Sequence, residues 1–143
     1  MMSWLIGHYH IWKAAVSGAA SNSRANQYNL SEYNIIERFN FGGSPWKKEY
    51  AKAYEEQSPI TYAGAITTPT LILHDTGDPI VPIIKSYTMY HALKDNGATV
   101  KFIAFPVAGH YPFPVDAHIP YGSPVHLSDI DRVWLDWFDQ YLK

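Results

Sequence analysis

Cysteine is absent from this 143-residue sequence. That excludes disulfide staples, thiolate nucleophiles and thiolate metal ligands, while the compartment stays open, because a chain without thiols suits reducing and oxidising surroundings alike. Charge of one sign is not in excess either: 11 Lys and Arg stand against 13 Asp and Glu, net −2 at pH 7. These charges are scattered rather than gathered into a basic face that neutralises phosphates, so nucleic acid is not an expected partner. No run reaches the roughly 18 to 20 apolar residues that cross a bilayer. Residues 1–8 (MMSWLIGH) also lack the basic start and apolar stretch of a secretory signal. A membrane is therefore not an expected partner.

What the chain holds is apolar material, 47% hydrophobic and 15% aromatic, enough for one packed core. No repeat, low-complexity tract or linker divides it, and residues 1–143 are read as one unit. Met2, Leu5, Ile6 and Tyr9 fall at helical spacing; a helix starting there with no cap ahead of it looks cut. Lys13 to Ala20 (KAAVSGAA) is a short run of small residues, expected to be a strand buried on both faces. Ser21 to Tyr62 reads as a loop-and-helix excursion, with turn signals at Gly42 and Gly43. A helix start is expected at Ser44, Pro45 and Trp46, where Ser can cap and Pro suits the first helical position.

Beyond Pro69 the signal sharpens. Thr70 to His74 (TLILH) is a continuous apolar run that empties into a polar cluster, Asp75 to Pro79. Pro82 then opens a helical stretch, Ile83 to Asn96, which Gly97 closes as a left-handed cap. Val100 to Phe105 is a third strand. The loop from Pro106 to Leu127 carries five Pro and three His and ends at Ser128, which with Asp131 makes a capping-box-like start. The stripe Ile130, Val133, Trp134, Trp137, Phe138 and Tyr141 then lays a last helix on the core. Strands alternating with helices over long crossovers predict an α/β fold with three parallel strands and flanking helices.

In an open parallel sheet, ligands gather beyond the carboxyl ends of the strands. Two polar loops belong there, one holding Asp75 and Asp78 and the other Gly109 and His110. On neighbouring strands about 5 Å apart, a carboxylate of the first reaches the imidazole of the second. That is the orienter and base of a Ser-His-Asp triad, in the acid-before-His order of α/β-hydrolases. The nucleophile then belongs upstream, but no Gly-x-Ser-x-Gly occurs: Ser17, Ser44 and Ser123 each lack part of it. Metal is not expected and no cofactor is implied. His8 and His10 fall on different helix faces, and His118 and His126 have no partner at a familiar ligand spacing. Tyr111 and Phe113 beside His110 either line a substrate pocket or pack beneath the loop.

The motifs Trp12-Lys-Ala-Ala-Val-Ser-Gly-Ala19, Gly43-Ser-Pro-Trp46, Ser58-Pro-Ile60 and Thr68-Pro-Thr-Leu-Ile-Leu-His74 follow one another along the chain. Asp78 with Val81-Pro82, Ala92-Leu93-Lys94 with Gly97, and Gly109-His110 come after them. In this order they resemble the C-terminal part of the catalytic domain of the prolyl oligopeptidase family of serine peptidases, in the branch of dipeptidyl aminopeptidases and acylaminoacyl peptidases. The resemblance covers nearly the whole chain. It implies a partial α/β-hydrolase fold without the nucleophile elbow, with Asp78 rather than Asp75 as triad acid and His110 as general base. The family's serine stands in a Gly-x-Ser-x-Gly-Gly turn, which would lie about half a dozen residues before Met1. Two positions depart from the pattern: Asp75 stands where the family often has Gly, and Ala108 where it often has an acidic residue.

The expected function is thus that of a C-terminal fragment of a serine hydrolase acting on peptide or acyl-peptide bonds, inactive alone. The alternative is a non-catalytic binding or assembly module built on half a hydrolase sheet. A cut sheet edge tends to pair with another chain, so a homodimer or a complex with the nucleophile-bearing half is expected.

Overall fold

The computed structural model describes residues 1–107, 109–110 and 124–143, the side chains of 124–130 excepted. Its centre is a sheet of three parallel strands in the order β1 (Ala15–Gly18), β2 (Thr70–Asp75), β3 (Val100–Phe105). All six residues of β2 are buried, which is what a strand paired on both edges and covered on both faces demands of its sequence. β1 differs from expectation. It lies at the edge of the described sheet, with Ala15 and Ser17 buried, Val16 half-buried and Gly18 exposed, so its small residues are covered only in alternation.

Because successive strand residues point to opposite faces, the sheet divides its apolar side chains between two layers. Ala15, Ile72, Val100 and Phe102 meet helices α1 (Met2–His8) and α5 (Ile84–Asp95) and the 3₁₀ helix Pro59–Ala65, through Ile6, Ala63, Ile66, Met89 and Leu93. Val16, Leu71, Leu73, Ile103 and Phe105 meet α6 (Pro124–Tyr141) through Val133, Trp134, Trp137 and Tyr141. Leu71, Ile72 and Leu73 are each at most 4% exposed, and each contributes about 1.5 to 3 kcal/mol of burial. Val133, Trp134, Trp137 and Tyr141 of the last helix's stripe thus serve as core, as their spacing suggested.

The segment between β1 and β2 resolves into α2 (Arg24–Leu30), α3 (Asn34–Asn40), α4 (Lys48–Glu56) and the 3₁₀ helix. Helix α4 starts at Lys48 rather than at Ser44-Pro45-Trp46. Ser44 is taken up by a turn, its Oγ accepting from the Trp46 N–H at 3.3 Å and its carbonyl from the Lys47 N–H at 3.1 Å. Helix α6 starts a turn before Ser128, at Pro124, a residue suited to a first helical position because its missing N–H has no partner to lose there. Helix α5 ends as predicted: Gly97 has φ +76°, with the Gly97 N–H on the Lys94 carbonyl and the Ala98 N–H on the Leu93 carbonyl, both at 3.0 Å. This is a Schellman closure.

Candidate active site

Parallel pairing brings the two polar loops together at the carboxyl rim. Asp75 ends β2 in register with Phe105 at the end of β3, and the ladder continues past both strands. The Thr76 N–H donates to the Phe105 carbonyl at 2.8 Å, and the Gly77 N–H to the Val107 carbonyl at 3.0 Å. Asp78 and His110 follow directly on these rungs.

The carboxylate that meets His110 is that of Asp78, with His110 Nδ1 at 2.7 Å from Asp78 Oδ2. The Asp78 side chain is fully buried and that of His110 is 23% exposed. Asp78 Oδ1 accepts the Ile80 N–H at 2.9 Å and the Val81 N–H at 2.8 Å, the local turn that Pro79 favours. His74 Nε2 approaches Oδ2 at 3.3 Å. Three hydrogen bonds therefore converge on one carboxylate, with His74 Nε2 as a further polar neighbour, and all of them favour its charged form. Burial pushes the Asp78 pKa up, but the hydrogen bonds from His110, His74 and the Val81 N–H outweigh it and hold the carboxyl well below the ordinary range.

His74 is the member of this site that sequence reasoning passed over, reading it only as the last residue of an apolar run. It is 2% exposed. Its Nε2 lies 2.6 Å from the Val81 carbonyl and its Nδ1 2.6 Å from Ser86 Oγ. A carbonyl can only accept, so Nε2 carries the proton, and in the neutral ring the Ser86 hydroxyl donates to Nδ1. His74 thereby ties the start of α5 to the turn that holds Asp78. The available signal was a polar, two-sided hydrogen-bonding side chain closing an otherwise apolar strand. Asp75 is buried at the base of the same turn, its carbonyl accepting the Asp78 N–H at 3.3 Å.

With Nδ1 donating to Asp78, neutral His110 presents the lone pair of Nε2, the atom a general base uses. Among the described residues no serine hydroxyl bonds His110. Ser3 and Ser17 are buried and share a 3.1 Å contact with each other. A cavity of about 280 Å³ opens at the end of β1, lined by Ser17, Ala19, Asn22 and Arg24 among others. No group of three or more His, Asp or Glu among the described residues is arranged to hold a metal. His8 donates from Nδ1 to the Trp4 carbonyl at 2.7 Å and stacks on that indole at 3.7 Å. Tyr111, Phe113 and His118 lie outside the described residues, as does the side chain of His126.

Comparison with known proteins matches this chain to peptidases. The model of the "Prolyl oligopeptidase family" matches residues 1–143. An uncharacterized peptidase of Bacillus subtilis, YuxL, is 28% identical over 147 residues, covering 99% of this chain and 20% of its own length. Dipeptidyl-peptidase 5 of Porphyromonas endodontalis is 23% identical over 143 residues, covering 98% and 19%. Among solved structures, the Pyrococcus horikoshii acylaminoacyl peptidase superposes with a TM-score of 0.80 at 25% identity, covering 97% of this chain and 21% of that one. The chain spans about a fifth of the length of these relatives. Its three parallel strands and flanking helices form a partial α/β-hydrolase fold.

Proposed function

This chain belongs to the prolyl oligopeptidase family, and from that membership we propose that it supplies the acid and base of a serine peptidase, with Asp78 the acid and His110 the base. The observation that carries this reading is the 2.7 Å contact of His110 Nδ1 with the buried Asp78 Oδ2 at the carboxyl rim. Asp78 holds the ring in the tautomer with Nε2 unprotonated and stabilises the imidazolium that forms. His110 Nε2 takes the proton of a serine hydroxyl as that oxygen attacks a peptide or acyl-peptide carbonyl, then returns it to the leaving amine. The serine and its oxyanion donors come from sequence outside residues 1–143, since no Gly-x-Ser-x-Gly is present.

Two measurements test this. The 143-residue chain is expected to resist a fluorophosphonate probe, and stoichiometric labelling of it overturns the division of the triad. In a longer protein carrying the preceding segment, His110→Ala is expected to abolish amidase activity; a variant with unchanged kcat/KM overturns the role of His110. The outer edge of β1, unpaired among the described strands, supports pairing with a second copy or with the nucleophile-bearing half. Light scattering that finds a monodisperse monomer at high concentration refutes that pairing.

A further inference from the structure

Behind the Asp78 turn lies a buried cation that the triad chemistry does not use. Lys85, in the first turn of α5, is 1% exposed, and its ammonium donates to Gln27 Oε1 of α2. Gln27, itself 5% exposed, turns its Nε2 to the Ile80 carbonyl at 3.1 Å and to Ser31 Oγ at 3.0 Å. Burying an ammonium is costly, and an apolar side chain of similar size is often as stable or more so. Burial, helped by Arg24, draws Lys85 down to about 8 against the Glu37 and Asp78 carboxylates, which pull it up. Its retention in so dry a place calls for a function other than stability.

The hydrogen-bond chemistry supplies one. An amide has two ends, and Gln27 can hold the Ile80 carbonyl only while its nitrogen faces that carbonyl. An ammonium is donor-only, so Lys85 admits the Gln27 oxygen and rejects its nitrogen. We propose that Lys85 is a positioning residue for Asp78: by fixing the orientation of Gln27 it clamps the Ile80 carbonyl, and so aims the Ile80 and Val81 N–H groups at Asp78 Oδ1. It acts alongside a second strut, in which Ser86 and His74 hold the Val81 carbonyl. The Ile80 and Val81 carbonyls are both held from α5, one through Gln27 and one through His74, while the Ile80 and Val81 N–H groups grip the carboxylate. The proposal rests on the reading of Asp78 and His110 as a working pair.

The test uses the 143-residue chain and NMR. Two variants cut the strut from opposite ends. Lys85→Met removes the donor that orients the amide, and Gln27→Glu keeps a partner for Lys85 but sets a carboxylate oxygen against the Ile80 carbonyl. In both, hydrogen-exchange protection of the Ile80 and Val81 amides is expected to fall about ten-fold relative to Leu71 to Leu73 of β2, the scale of one lost hydrogen bond to a charged group. The Asp78 carboxyl carbon is expected to titrate closer to the ordinary carboxylate range, about a ten-fold change in its acid dissociation constant. Unchanged protection at 80 and 81 in both variants overturns the proposal. Protection lost equally across β2 also overturns it, by making Lys85 a general stabiliser. If Asp78 already titrates in the ordinary range in the unsubstituted chain, the pair itself is absent and the proposal falls with it; that result is told apart because it precedes any substitution.

Discussion

Replacing Asp78 by Asn changes one atom and reverses the demand placed on two imidazoles. If the amide oxygen keeps the Ile80 and Val81 N–H groups, the amide NH₂ faces His110 Nδ1 at 2.7 Å and His74 Nε2 at 3.3 Å. His74 Nε2 is already a donor to the Val81 carbonyl, so that contact sets donor against donor. His110 must move its proton to Nε2 to accept from the amide, which removes the lone pair that a base needs. A hydrogen bond to a charged group contributes about 1.5 to 3 kcal/mol, so exchanging the short charged contact for a neutral one and repelling the long one is expected to cost about 2 to 4 kcal/mol. Urea unfolding at pH 7, followed by tryptophan fluorescence, measures that loss, and imidazole ¹⁵N shifts report the tautomer. The Asp78 pKa is depressed on folding, so its contribution is complete above about pH 5 and is lost as pH falls below the ordinary carboxyl range. The gap between parent and variant must therefore shrink in acid. A loss under about 0.5 kcal/mol with His110 still protonated at Nδ1, or a gap that widens as pH falls, refutes the reasoning. In a longer protein that carries the serine, if the proposed roles of Asp78 and His110 hold, the wrong tautomer is expected to lower kcat about 10⁴-fold.

Other substitutions probe the scaffold. At Gly97 a Cβ meets nothing within 4 Å but φ is +76°, so Gly97→Ala is expected to cost about 1 to 2 kcal/mol from backbone conformation alone, and Gly97→Asn less; equal urea midpoints for Gly and Ala refute this. At Gly7 the added Cβ falls 2.9 Å from Tyr62 Cβ. Gly7→Ala is therefore expected to push α1 off the 3₁₀ helix and lose about 1 to 3 kcal/mol, despite the better helix propensity of Ala, and an unchanged midpoint counts against that close packing. Lys85 is lowered from its ordinary 10.5 to about 8 by burial, so between those values the unfolded chain binds more protons and stability rises with pH. The rise is at most about 3 kcal/mol, and it should vanish in Lys85→Met when unfolding curves of the two are compared from pH 7.5 to 10.5.

The sequence made β2 legible because a strand covered on both faces must be apolar throughout, and TLILH is. Helix α5 was legible at both ends, since Pro82 and Gly97 act through their own backbones and need no tertiary context. That a carboxylate of the first loop faces His110 could be read because parallel pairing fixes where loops leave the sheet, while the choice of Asp78 over Asp75 came from the family resemblance. Less accessible were features set by distant partners. Ser44 has the side chain of a cap but spends it on a turn, and whether β1 is covered on both edges depends on what lies beside it. His74 and Lys85 act through Ser86, Gln27 and two backbone carbonyls, and Gln27 lies 58 positions from Lys85. No local pattern announces such a contact.

The two rungs that carry the ladder beyond β2 and β3, Thr76 to Phe105 and Gly77 to Val107, bear on more than local order. They tie the roots of the acid and base loops to the strand lattice, so the distance between those roots is set by the sheet. The pair is carried like two teeth on one comb. Neighbouring loops can be reshaped without moving those roots, whereas a change in the twist between these two strands would draw them apart.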